Sequence, residues 1–132
     1  MARHWPADTK VLLAEDDFLI AKMLETRLVM DGLTVVTARH GLEALEIVRA
    51  RPLDLVITDL MMPAMSGYRL IREIRALPPP QGTVPLMVIS ANQNEEDIVS
   101  CFEAGADDFM TKPISVTLMM ERIWRLHRRV PR

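Results

Sequence analysis

The chain has 132 residues, with 16 Lys+Arg against 18 Asp+Glu, a net charge of -2 and 49% hydrophobic residues. That length and apolar content suit one globular domain with a proper core and exclude a disordered tail. A single cysteine excludes an internal disulfide, no apolar run approaches the roughly 18 residues of a membrane span, and residues 1–6 carry no signal-peptide core, so a cytoplasmic setting is expected.

Residues 1–9 show no periodicity and read as a loose lead-in to a domain over 10–129, with 130–132 as a tail. Val11 to Ala14 is a short apolar run cut off by Glu15, Asp16 and Asp17, the length of a buried strand. From Phe18 to Met30, Leu19, Ile20, Met23, Leu24 and Leu28 recur at helical spacing, and Asp31 and Gly32 close the helix. Thr34 to Ala38 is a second strand rich in β-branched residues. Leu42 to Arg49 forms a second helix, ended by Arg51 and Pro52.

Leu55 to Thr58 is the third strand, stopped at Asp59, and Pro63 and Gly67 punctuate the loop that follows. Tyr68 to Leu77 returns to helical spacing through Leu70, Ile71 and Ile74 until Pro78, Pro79 and Pro80 end it. Leu86 to Ile89 is a fourth strand running into Ser90. Glu95 to Ala104 is a helix with acids in its first turn and Gly105 after its last. Asp108 to Thr111 is a short fifth strand, and a last helix runs from Ser115, its N-cap, to Arg129. Five β–α units with near-continuous apolar strands predict one α/β domain, a parallel sheet covered on both faces.

Charge is unevenly spread. Val11 to Pro113 carries nine Lys+Arg against sixteen Asp+Glu, whereas Ile114 to Arg132 has five Arg and only Glu121. The acidic body argues against direct nucleic-acid binding, which requires neutralised phosphates. The basic end complements the dipole of the last helix, the favoured reading, or meets an acidic partner or lipid surface.

Ligand sites of open α/β sheets lie beyond the carboxyl ends of the strands. Here those ends carry Glu15, Asp16 and Asp17, then Asp59, Ser90 and Lys112. Taken singly, each has a duller role as a cap, a turn residue or a solvated lysine. Together they form a set. Crowded carboxylates repel, and a divalent cation with hard oxygen ligands relieves that repulsion. An aspartate is also a competent covalent nucleophile for a phosphoryl group, with a metal, an ammonium and a hydroxyl to spread the charge.

The segments VLLAEDD, VITDLMMPAMSG, VPLMVISA and GADDFMTKP resemble, in order and spacing, the receiver domain of two-component response regulators. The resemblance covers about residues 10–129 and implies a chemotaxis-regulator-like, doubly wound five-stranded sheet with five helices and strand order 2-1-3-4-5. It implies that Asp59 takes a phosphoryl group from a phosphohistidine on a sensor histidine kinase or phosphotransfer protein. It further implies that Asp16 and Asp59 ligate Mg²⁺ directly (Mn²⁺ being an alternative ion), Glu15 through water and Met61 through its backbone carbonyl. Lys112 is expected to contact a phosphoryl oxygen, and the bond to Pro113 to be cis. Ser90 is expected to bond the phosphoryl group and Phe109 to rotate inward behind it. The surface of the fourth helix, fifth strand and fifth helix would then control a downstream effector protein, and homodimers through those two helices occur in this family.

Several positions depart from the family's commoner residues. Ser90 replaces threonine and Phe109 replaces tyrosine, while the loop from Pro78 to Thr83 is long and stiff. Met61 and Asn92 occupy the positions that in this family tune hydrolysis, and an apolar Met61 predicts slow self-dephosphorylation. Met61, Met62 and Met65 stand beside Asp59 as candidates for partner contact, and Trp124 either anchors an interface or packs on the sheet. Cys101 reads as a small buried apolar residue, and His4, His40 and His127 lack ligand spacing.

The expected function is a phosphorylation-switched signalling module that acts as an enzyme only toward its own modification, and the ending near Arg129 suits a stand-alone receiver. The alternative is the receiver part of a larger hybrid kinase or output enzyme, such as a cyclic-dinucleotide synthase. A flavin binder and a haloacid-dehalogenase-type phosphatase fit poorly, the first because Glu15 to Asp17 would repel a phosphate and the second because Met61 stands where a second acid is needed.

Overall fold

The computed structural model describes residues 4–129. Five strands, β1 (Lys10–Ala14), β2 (Thr34–Ala38), β3 (Leu55–Asp59), β4 (Leu86–Ser90) and β5 (Asp108–Thr111), form one parallel sheet in the order β2-β1-β3-β4-β5. Helices α1 (Phe18–Met30), α2 (Gly41–Ala50), α3 (Gly67–Arg75), α4 (Glu95–Ala104) and α5 (Val116–Arg129) connect and cover it. The predicted fold and strand order are those observed, and the elements differ from expectation only at their ends. The tail at 130–132 lies outside the described residues.

The sheet separates two cores because successive strand residues face opposite sides. Val11, Leu13, Leu55, Ile57, Met87 and Ile89 face α1 and α5, while Leu12, Ala14, Val56, Leu86 and Val88 face α2, α3 and α4. The central strands β3 and β4 are buried along their whole length, which explains their unbroken apolar sequence.

Two expectations need correction. The apolar residues of α1 do not form one buried stripe: Leu24 and Leu28 are buried, but Leu19 is 77% and Met23 45% exposed. Leu19 and Met23 each lie one residue, about 100° of turn, from the Ile20–Leu24–Leu28 line that meets the sheet. The lead-in, moreover, is not loose at Trp5, whose ring meets Trp124 edge-on at 5.0 Å and His127 at 5.3 Å, and packs on the α1/α5 core. Aromatic area buried against α5 holds it there.

At the amino ends of the strands Arg75 accounts for the proline loop. Its Nε donates to the Gly105 carbonyl at 2.9 Å, and one terminal nitrogen donates to the Gly82 and Val84 carbonyls at 3.1 and 2.7 Å. The other reaches Asp107 at 3.0 Å. A short 3₁₀ turn at Gln81–Thr83 delivers those carbonyls.

Candidate functional site

With all strands parallel, the residues that end them share one rim. Glu15 and Asp16 follow β1, Asp59 and Ser90 terminate β3 and β4, and Lys112 follows β5. Glu15, Asp59 and Ser90 are buried there, whereas Asp16 is exposed.

Local backbone bonds set each group. Asp17 caps α1, its carboxylate accepting the Leu19 and Ile20 amides at 3.0 and 3.1 Å. Its own N–H donates to Glu15 Oε2 at 3.0 Å, and the Glu15 N–H donates to the Ala38 carbonyl at 3.0 Å. Asp59 Oδ1 accepts the Leu60 N–H at 2.7 Å and, more weakly, the Met61 N–H at 3.4 Å. The loop then folds back so that the Gly67 N–H donates to the Leu60 carbonyl at 2.8 Å. A Cβ on Gly67 would stand 2.7 Å from Leu60 Cα and 2.5 Å from the Asp59 carbonyl oxygen, so only glycine allows that approach.

Lys112 closes the cluster. Its N–H donates to the Ser90 carbonyl at 2.8 Å, and the Lys112–Pro113 bond is cis. The Nζ stands 2.7 Å from Glu15 Oε1 and 3.0 Å from Asp59 Oδ2. The contact with Glu15 is an ion pair rather than an aligned hydrogen bond, since Oε1 has no hydrogen-bond partner of good geometry. Burial pushes the Glu15 carboxyl up to about 7 against the pull of Lys112, with Asp59 adding to the rise. Burial works to lower Lys112, but its contacts with the Glu15 and Asp59 carboxylates outweigh that effect and raise it.

Carboxylate oxygens of Glu15, Asp16 and Asp59 come within 4.8 Å of one another. Three hard oxygen donors, one exposed and two buried, fit an octahedral divalent cation that keeps several waters.

The remaining expected residues surround this cluster. Met61 points outward, 71% exposed. Met62 is half-buried and Met65 buried, which leaves only Met61 of the three fully at the surface. Ser90 Oγ accepts the Asn92 N–H at 3.1 Å. Phe109 is buried, 8% exposed, in the core cluster on the α2–α4 side of the sheet. Outside the site, His40 caps α2 by accepting the Glu43 N–H, and Cys101 is buried as expected. Sequence reasoning missed the close approach of Gly67 to Asp59 and the bond from the Tyr68 hydroxyl to the Asp97 carbonyl. The glycine had a signal, its place just ahead of a helical stripe, but Tyr68 looked like an ordinary helix residue.

The chain matches the response regulator receiver domain over residues 11–124. It is 38% identical over 120 residues to a probable transcriptional regulator, ycf27, of Cyanidium caldarium, covering 91% of this chain and 47% of that protein. It is 38% identical over 121 residues to the transcriptional regulatory protein CseB of Streptomyces coelicolor, covering 92% and 50%. The chain thus spans about half the length of the curated relatives it matches. Among solved structures it superposes on the receiver domain of a signal transduction histidine kinase from Syntrophus aciditrophicus, with TM-score 0.85, 32% identity and coverage of 94% and 93%. It also superposes on the receiver domain of a Pseudomonas aeruginosa sensor histidine kinase, a structure with magnesium coordinated in the active-site cleft, with TM-score 0.83, 28% identity and coverage of 92% and 98%.

Proposed function

The chain belongs to the response regulator receiver domain family, and on that premise we propose that it is switched by a phosphoryl group carried on Asp59. One Asp59 carboxylate oxygen attacks the phosphorus of a donor phosphohistidine. The P–O bond forms as the P–N bond breaks, and the bonding pair returns to the donor's imidazole. The observation that carries this reading is the Lys112 ammonium beside both Glu15 and Asp59, within a carboxylate cluster at the sheet's ligand-binding edge.

The roles divide by position. Asp16 and Asp59, with the Met61 carbonyl and with Glu15 through water, would hold Mg²⁺. When bound, such a cation supplies positive charge to the phosphoryl oxygens. Lys112 contacts one of those oxygens, and the Ser90 hydroxyl donates to another. The Leu60 and Met61 amides orient the Asp59 carboxylate for attack. The new group adds about -1.5 to -2 of charge and three acceptor oxygens to a site already short of cations. That local change biases a two-state element, whose output surface is α4, β5 and α5.

The partners on this reading are a histidine kinase or phosphotransfer protein and a downstream effector. Acids in the first turn of α4 and arginines along α5 make a homodimer through those helices a complementary pairing. A second reading, in which the domain is the input half of a longer transcriptional regulator, is favoured by the relatives' length and printed names.

Intact mass after incubation with Mg²⁺ and acetyl phosphate, beside Asp59→Asn, tests the proposal. One added phosphate on the wild type, absent from the variant and from a chelated sample, supports it. No adduct from acetyl phosphate or from phosphorylated histidine kinases would make the domain a constitutive docking module instead.

A further inference from the structure

A hydrogen-bonded path leaves Ser90 and ends on α3. Ser90 Oγ accepts the Asn92 N–H at 3.1 Å, and Asn92 Nδ2 donates to Asp97 Oδ2 at 2.6 Å. Asp97 lies in the first turn of α4. From the other side the Tyr68 hydroxyl, at the start of α3, donates to the Asp97 main-chain carbonyl at 2.9 Å. The intervening loop is held as well, since the Asn94 N–H donates to Asn92 Oδ1 at 2.8 Å and Asn94 Oδ1 accepts the Asp97 N–H at 3.2 Å. Few degrees of freedom remain between the Ser90 hydroxyl and the seam where α3 meets α4.

Phe109 takes no part in this hydrogen-bonded path. Its ring is buried in the same core cluster that Tyr68 packs against, and it lacks a hydroxyl.

We propose that Tyr68 and Asn92 are positioning residues of the switch, which hold α4 against α3 through Asp97 and carry a displacement of Ser90 to the α3–α4 seam. The proposal rests on Asp59 accepting the phosphoryl group and Ser90 bonding it. A hydroxyl has one hydrogen to donate, and turning it toward a phosphoryl oxygen redirects the lone pair that the Asn92 N–H uses. That load falls on the Asn92–Asp97 bond and then on the Tyr68–Asp97 bond. Linkage makes the effect reciprocal: contacts that hold Ser90 at rest oppose the phosphoryl-bound arrangement, and loosening them favours it.

The test uses the full chain with Mg²⁺ and beryllofluoride as a stable phosphoryl mimic. Binding is followed by ¹⁹F resonance and, separately, hydrogen exchange is measured over residues 66–72 and 91–100. In the wild type, loading raises exchange in both segments about threefold to tenfold, the range a single neutral hydrogen bond is worth. Tyr68→Phe and Asn92→Ala each show that raised exchange before loading. Their combination adds nothing further, because both cut one path. The proposal is overturned if both Tyr68→Phe and Asn92→Ala retain wild-type protection while still binding beryllofluoride. A wild type that does not bind beryllofluoride in the presence of Mg²⁺ overturns the phosphoacceptor reading, and this proposal with it.

Discussion

Lys112 stands nearer to Glu15 than to Asp59, at 2.7 against 3.0 Å, so the ammonium is shared by the two buried carboxylates rather than dedicated to the acceptor. Its positive charge offsets the repulsion between them, and a divalent cation would do the same. Lysine and metal therefore act on the same electrostatic problem.

Replacing Lys112 separates those two contributions. Lys112→Ala leaves Glu15 and Asp59 buried without their common counter-charge and lowers stability by up to about 3 kcal/mol. Mg²⁺ then stabilises the variant more than it stabilises the wild type, and calorimetric titration shows an affinity equal or higher. Phosphorylation by acetyl phosphate falls about a hundredfold, the order of magnitude lost with one preorganised donor. A variant that loses metal binding and phosphorylation in parallel would contradict this division.

Met61 lies at the exposed edge of the site and carries no polar atom able to orient water. Met61→Glu or Met61→Asn is expected to shorten the phosphoryl lifetime about tenfold or more, by positioning the attacking water. Decay of the phosphorylated mass after removal of the donor measures it. An unchanged lifetime would show that residue 61 does not set hydrolysis here.

Glycines at two places should fail in different ways. Gly67→Ala forces a Cβ against Asp59 and Leu60, so it costs about 1–3 kcal/mol and also slows phosphorylation by moving the acceptor loop. Gly32→Ala meets nothing within 4 Å but sits at φ +94, so it costs about 1 kcal/mol and leaves phosphorylation unchanged. Urea denaturation read beside acetyl phosphate turnover distinguishes them.

Arg75 stands at the opposite end of the sheet and joins α3, the proline loop and the start of β5 through four hydrogen bonds. Arg75→Ala is expected to cost about 1–3 kcal/mol by leaving the Gly82 and Val84 carbonyls without their donor. Arg75→Lys recovers little, because an ammonium cannot span that fork. Phosphorylation per folded molecule stays at the wild-type level, which a combined unfolding and mass assay would show.

Legibility in the sequence followed the range of the interactions. Strands such as Leu55–Asp59 were readable because a run of apolar residues ending on an acid is a local signal, and the rim residues follow once those ends are aligned in a parallel sheet. The tie from Tyr68 to Asp97 joins residues 29 apart in the chain, and that of Arg75 to Gly105 joins residues 30 apart. Neither leaves a periodic mark. Leu19 and Met23 misled for the opposite reason, since apolar character alone does not tell which side of a helix meets the sheet. Trp5 gave no warning because a lone aromatic in an aperiodic segment has no pattern to read.

Both of the chain's tryptophans lie in the one edge-on contact between Trp5 and Trp124. Trp124 stands eight residues into α5, about 12 Å along the axis from the end nearest Lys112. All tryptophan emission from this protein therefore originates away from the strand ends that carry the chemistry. Optical titrations with metal or phosphodonor are silent if the change stays at the strand ends, and a shift in emission reports a change at the Trp5–Trp124 contact.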